Sequence, residues 1–176
     1  MAAEGRKAPL LYGLPYCGRP LLRKGNACAA GWAALIMAVM RLTTYVNFAG
    51  TCAEAFRYYE QHLGGKITFT MKHGDSPQPS PLGPDWKDAV LHASIELGGT
   101  TLLGADIPNA EPMRSAYLTL APDSDADAER IFAALCDGGR VLMPMGETFF
   151  ASRFGQVRDR FGLNWMVLRQ RQQPAT

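Results

Sequence analysis

Thr51–Gly65 reads TCAEAFRYYEQHLGG, and how this segment folds decides how the rest of the chain is laid out. Cys52, Ala55, Phe56, Tyr59 and Leu63 recur at the offsets of one helix face. Thr51 and Glu54 have the T-x-x-E spacing of a capping box, and Gly64 with Gly65 supplies a left-handed stop. A helix over 51–63 is therefore expected. Asp123–Gly139, DSDADAERIFAALCDGG, repeats the plan: Ala128, Ile131, Phe132 and Leu135 share one face, acidic residues fill the first turn, and Gly138 with Gly139 closes it.

Strand signals surround both helices. LTTYVNF (42–48) precedes the first, and KITFTMK (66–72), AVLHASIEL (89–97) and TTLLGAD (100–106) follow it. RSAYLTL (114–120) precedes the second, and RVLMPM (140–145), FGQVRD (154–159) and LNWMVLR (163–169) follow. β-Branched and aromatic residues, period-two alternation and bounding Gly, Pro or Asp carry these readings. The order is strand, helix, three strands, written twice. A helix hides its apolar stripe against one face of its own sheet. The fold expected is thus α+β: two βαβββ units whose paired, partly closed sheets leave their uncovered faces around a shared cleft. HGDSPQPSPLGPDWKD (73–88), with Pro77, Pro79, Pro81 and Pro84, reads as an irregular surface loop, either a lid or a plain connector, and His73 at its start as solvated.

The 176 residues suffice for one domain, and 47% hydrophobic with 19% charged residues is the composition of an ordinary folded protein. The formal charge of +2 is uneven: Arg6, Lys7, Arg19, Arg23 and Lys24 stand against Glu4 alone, leaving 40–176 mildly acidic. That argues against nucleic acid as a partner, because phosphate binding needs basic residues clustered on the folded face. The apolar run Ala27–Met40 falls short of the roughly 18–20 residues that span a bilayer, so no membrane role is expected. Residues 1–39 are read as a disordered or loosely packed extension, possible start at Met40 included, with a docked helix or a processed signal as alternatives; 40–176 is the functional domain. Cys17, Cys28, Cys52 and Cys136 show neither CxxC nor zinc spacing, which reads as free thiols in a reducing, cytoplasmic compartment.

YVNFAGTCAEAFRYYEQHLGG (45–65), HASIELGG (92–99), LLGAD (102–106) and ETFFASRFGQVRDRFGLNWMV (147–167), in that order, resemble the PhnB-like branch of the vicinal oxygen chelate superfamily. The resemblance runs from about Leu42 to Leu168. It implies two βαβββ modules, a homodimer, and a family of metal-dependent lyases, isomerases and dioxygenases together with metal-free binding proteins. Some members of the branch carry a demethylubiquinone methyltransferase label, but this chain has no Gly-rich strand-to-helix turn followed by an acidic residue for a nucleotide-type cofactor.

The resemblance implies metal ligands on the cleft side of the first and last strands of each half. Strand parity tests whether they are kept. Leu42, Val46 and Phe48 should face the helix, which turns Thr43, Tyr45 and Asn47 to the cleft. By the same parity Ser115, Tyr117 and Thr119, and then Asn164, Met166 and Leu168, face the cleft, with Trp165 and Val167 behind. Met166 stands where the resemblance expects a carboxylate, and Asp106 is a single carboxylate at the end of its strand. A thioether, hydroxyls and amides make a poor first coordination shell, so neither a metal nor another cofactor is expected. A relocated set drawn from His92, Glu96, Asp106 and Glu147 is the alternative.

In Glu147–Val167 the turn DRFG (159–162) is a sheet corner: Asp159 bonds its own backbone and Gly162 takes a positive φ. Arg158 and Arg160 beside it read as solvent charges. Glu147, followed by Phe149, Phe150 and Phe154, either pairs with Arg153 or, desolvated, serves as an acid or base. The function expected is metal-independent binding of a small organic molecule, with Tyr45, Asn47, Asp106, Tyr117, Phe149 and Met166 contacting it and Glu147 and His92 as polar, potentially catalytic groups. The alternative is a divalent-metal lyase, isomerase or dioxygenase. Whether the chain is an enzyme stays open at this point.

Overall fold

The computed structural model describes residues 42–171, and the extension expected at 1–39 lies outside them. Strand β1 (Thr44–Phe48), helix α1 (Cys52–Leu63), β2 (Lys66–Lys72), β3 (Val90–Leu97) and β4 (Thr100–Asp106) form the first half. Strand β5 (Leu118–Leu120), helix α2 (Asp125–Cys136), β6 (Arg140–Gly146), β7 (Ala151–Arg158) and β8 (Asn164–Gln170) form the second. Each half is a four-stranded mixed sheet, ordered β1-β4-β3-β2 and β5-β8-β7-β6. In each, the strand before the helix pairs parallel with the last strand and the rest pair antiparallel. The α+β doubling read from the two helix segments is the architecture observed.

The halves are alike down to one contact. Gly104 on β4 lies so close to Phe56 of α1 that an added Cβ would sit 2.7 Å from its Cζ, and Gly155 on β7 stands equally close to Phe132 of α2. Each glycine lets an aromatic ring settle onto the sheet, and both rings are buried. Phe56 cannot swing clear of a methyl group in so tight a core. Gly104→Ala is expected to lower stability by about 1–3 kcal/mol through overpacking. Urea unfolding would check this, and Gly98→Ala, with nothing within 4 Å of the added carbon, is no fair control because its φ is +54°.

The start of α1 departs from the sequence reading. Thr51 makes no side-chain cap. Asp106 takes its place: its carboxylate accepts from the backbone amides of Cys52 (2.9 Å) and Val90 (2.8 Å), tying helix start, β3 and β4 together. A charged acceptor on the first free amide also complements the helix dipole. At α2 the cap is local, with Ser124 accepting from the Asp127 amide at 3.0 Å. Gly64 adopts φ 74° as the left-handed stop of α1.

The halves share one core on their helix side. Tyr59 of α1 meets Trp165 of β8 at 5.2 Å between ring centroids, Tyr58 donates to the Ala134 carbonyl of α2 at 2.6 Å, and Phe161 packs against both tyrosines. The turn expected as a mere sheet corner does more. Asp159 Oδ1 accepts from the amides of Phe161 and Leu163, as a turn-forming Asp should, while Oδ2 accepts from Tyr59 (2.6 Å) and Trp165 Nε1 (2.7 Å). One buried carboxylate thus joins α1 of the first half to β8 of the second. Arg158 and Arg160 are not free solvent charges either: Arg158 donates to Asn164 Oδ1 and the Met113 carbonyl, and Arg160 lies over the Tyr58 ring at 4.2 Å.

Because the apolar contact runs through the helix side, the sheet faces turned away from the helices do not bury one another. Residues of both sheets line a slot of about 400 Å³ near the edges of β1 and β5, with Thr44, Leu102, Tyr117 and Leu120 on its walls. β5 is short because Ser115 takes φ 52° and Asn164 donates to the Met113 and Ala116 carbonyls, which holds the preceding chain off the ladder. The Pro-rich loop closes on itself: Gly74 N–H bonds the Lys87 carbonyl at 2.8 Å. His73, expected in solvent, is buried there with Nδ1 3.0 Å from Ser80 Oγ.

Candidate functional site

β-Strand register sets which side chains share the open face of the first sheet. Tyr45 pairs with Leu103, and Leu103 with Ser94, so His92, two residues from Ser94 on β3, points the same way. On β2 a register shift between Ile67 and Phe69 brings Phe69 opposite Ser94 and onto this face as well. Between Tyr45 and His92 lies β4, whose Leu103 and Ala105 belong to the same face. The two rings meet across it: the Tyr45 hydroxyl is 3.2 Å from His92 Nδ1, and the ring centroids are 5.7 Å apart. Ala105 is covered although it belongs to the open face. Phe69 completes the group at 5.9 Å from the His92 ring. Tyr45 and Phe69 each remain 46% exposed, so both rings are still reachable.

Partial burial raises the Tyr45 pKa, with the Cys52 thiol nearby adding to the effect. The phenol thus keeps its proton at neutral pH and shares one hydrogen bond with Nδ1, whose donor is set by the His92 tautomer. Beneath, the Cys52 thiol is pushed up to about 12 by burial first and by Asp106 second. A thiol whose folded value lies above its ordinary value near 9.0 stabilises the fold fully below pH 9. That stabilisation is lost as the pH rises toward the folded value, because the unfolded chain gains a thiolate the folded one resists. Tyr59 is raised for the same reason, burial first and the Asp159 carboxylate second. Melting temperature is therefore expected to hold to about pH 9 and then fall steeply; a flat profile to pH 11 would count against the buried thiol and phenol.

The other residues singled out by sequence are scattered. Asp106 is a correction in its surroundings: paired with Phe48, it points to the helix side, is 2% exposed, and has both oxygens engaged by amides, which makes it an anchor of the fold. Glu147 is a second correction. It is exposed at the β6–β7 connection and bonds Arg171 at 2.5 Å, while Arg153 turns to Asp125 and Glu129 of α2. Its expected partner and its expected desolvation are both absent. Phe149 is 93% exposed at the tip of that connection, stacked edge-on against Phe150. Met166 lies on the open face of the second sheet, paired with Thr119 and Gln156. Asn47 sits exposed beside a hollow of about 240 Å³ near the start of α1, and Tyr117 lines the slot between strand edges. Of these eight positions only Tyr45 and His92 touch. Phe69 was missed because a bulge, invisible in the sequence, decides its face.

The donors present do not fit a chelated divalent ion. Among the described residues no three His, Cys, Asp or Glu side chains come together. His92 and Glu96 belong to the first sheet, Asp106 is buried behind it, and Glu147 stands on the second, so the relocated set does not assemble within one chain.

The fold agrees with what the chain is similar to. The sequence pattern described as Glyoxalase/Bleomycin resistance protein/Dioxygenase superfamily matches residues 41–167. Protein YjdN of Escherichia coli strain K12 is 33% identical over 146 residues, covering 77% of this chain and 99% of its own. The crystal structure of PA1353 from Pseudomonas aeruginosa shares 42% identity at a TM-score of 0.67, covering 74% of this chain and 98% of that one. A Bacillus cereus protein described as a putative 3-demethylubiquinone-9 3-methyltransferase, PhnB protein, is 25% identical at a TM-score of 0.59, covering 73% of this chain and 98% of its own. With the doubled βαβββ plan and these relatives in hand, the chain belongs to the glyoxalase/bleomycin resistance/dioxygenase superfamily, within its PhnB-like branch.

Proposed function

We propose that the protein binds a small organic molecule, without a chelated metal, on the open face of its first sheet. The observation that carries this reading is the Tyr45–His92 contact on the open face: a half-exposed phenol and a partly buried imidazole joined by one hydrogen bond, in a fold whose covered side is already filled. Apolar walls with a few placed polar groups are the usual chemistry of small-ligand sites. A homodimer is the assembly expected, since the half-exposed Phe69 and Met143 of the two open faces would be shielded by a second copy. The free thiols of Cys52 and Cys136 fit a reducing, cytoplasmic setting, and no helix among the described residues is long and apolar enough to cross a membrane.

The test is a thermal-shift screen of a small-molecule library on the full chain, run with and without chelator. Hits that raise the melting temperature equally in both arms, and fail on Tyr45→Ala, support the proposal. A melting temperature that drops on adding chelator alone would oppose it and revive the divalent-metal lyase, isomerase or dioxygenase. No hit from a broad library would oppose small-molecule binding itself.

A further inference from the structure

We infer that the slot beside β1 and β5 is a second binding site, which takes an uncharged, mainly hydrocarbon molecule carrying a hydroxyl or carbonyl oxygen. Neither Tyr45 nor His92 lines the slot, so this site and the open face stand or fall separately.

β1 and β5 are the end strands of their sheets, and the slot of about 400 Å³ lies along them. Register shows which side its floor belongs to. Thr44 pairs with Leu102 and Leu118 with Trp165, and Leu102 and Trp165 are buried in the core beneath the helices. The floor is therefore the margin of the shared core, not the open face. Leu118 and Leu120 are only partly buried over that core, so a hydrocarbon body seated between the two sheets takes them out of water. The rim has a different chemistry. Thr44, Thr100, Thr101 and Tyr117 bring hydroxyls from both halves to the one slot. A hydroxyl donates or accepts as it rotates, so this rim satisfies a ligand hydroxyl or carbonyl oxygen alike. Among the described residues no charged side chain lines the slot. An ion entering it would give up hydration with no opposite charge in return, which rejects carboxylates and amines of the same shape. The volume lies within the range of small-molecule sites, about 300–1,000 Å³.

The experiment is NMR titration of the full chain carrying ¹⁵N-labelled tryptophan, which has three Trp to resolve, assigned through Trp32→Phe and Trp86→Phe. The probes are menthol, an uncharged alcohol on a hydrocarbon ring; menthylamine, its cationic counterpart; menthane carboxylate, its anionic one; and inositol, hydroxyls without a hydrocarbon body. Menthol is expected to shift the Trp165 indole signal saturably, and equally in Tyr45→Ala. It should bind about tenfold tighter than each of the other three. Thr44→Phe, at an exposed position, should fill the slot and abolish the shift, with an unmoved Trp86 signal as the sign of a folded chain. Replacing Thr100 and Thr101 together by Val should weaken menthol binding about threefold to tenfold. Equal affinity for the amine or the carboxylate would overturn the uncharged class. Equal affinity for inositol would overturn the part given to the apolar floor, and unaltered affinity in the double Val variant the part given to the hydroxyl rim. Loss of menthol binding in Tyr45→Ala would move the molecule to the open face, overturning the second site and leaving the reading above standing. Binding that survives Thr44→Phe, or no movement of Trp165 with any probe, would overturn the inference outright.

Discussion

Asp159→Ala is expected to remove most of the protein's stability. The carboxylate is 5% exposed and accepts four hydrogen bonds, two from the amides of its own turn and one each from Tyr59 and Trp165. Hydrogen bonds to charged groups are worth about 1.5–3 kcal/mol each, and deleting the acceptor strands four donors in a site water does not reach. Even with partial relaxation a loss of about 4 kcal/mol or more follows, against a typical total of about 5–15 kcal/mol. Asp159→Asn is the sharper variant, because its oxygen can serve the turn while its NH₂ faces the Tyr59 and Trp165 donors. It should keep the turn, lose the link between halves, and cost about 2–4 kcal/mol. Tyr59→Phe should cost about 1–2 kcal/mol, and in Asp159→Asn its effect should shrink, because the shared bond is already gone. Urea unfolding of the four proteins closes this cycle. A penalty below 1 kcal/mol for Asp159→Asn would mean that this carboxylate contributes little to holding the two halves together.

Asp106→Ala separates two accounts of one residue. As a ligand contact it would lower affinity and leave stability alone. As the shared acceptor of the Cys52 and Val90 amides it should destabilise by about 2–4 kcal/mol and leave ligand affinity nearly unchanged in protein that is folded. Asp106→Asn should recover part of the loss, since an amide oxygen can still accept one of the two bonds. Unfolding curves combined with the affinity for a hit from the library screen decide between them, and a stable Asp106→Ala variant that binds poorly would restore the ligand role.

These two residues also mark where sequence reading ends. The helices, their glycine stops, the doubled order of elements and the inward turn of Val46, Phe48, Trp165 and Val167 were legible, because each follows from spacing within a few residues of its neighbour. Asp106 and Asp159 were read by their local surroundings, as a strand-end carboxylate and a turn Asp, whereas their weight comes from partners 54 and 100 positions away. No spacing rule reaches that far. The capping box at Thr51 did not form, and a distant acceptor from β4 holds the Cys52 amide at the helix start. Tyr45 was placed on the open face by alternation, but that it meets His92 depends on the register of three paired strands. Phe69 needed a bulge that leaves no trace in KITFTMK. Glu147 was judged by the phenylalanines beside it in sequence, and those rings turn to one another and to solvent, leaving its carboxylate wet and paired with Arg171.

The account stands on the claim that the open sheet face carries hydrogen-bonded rings in place of a chelating set. Elemental analysis of untagged protein, purified from cells grown with ample zinc, manganese, nickel and iron and without chelator, tests it most directly. Only substoichiometric, mixed traces are predicted, unchanged in Tyr45→Ala and His92→Ala. One equivalent of a single divalent metal per chain, lost when His92 is replaced, would contradict it.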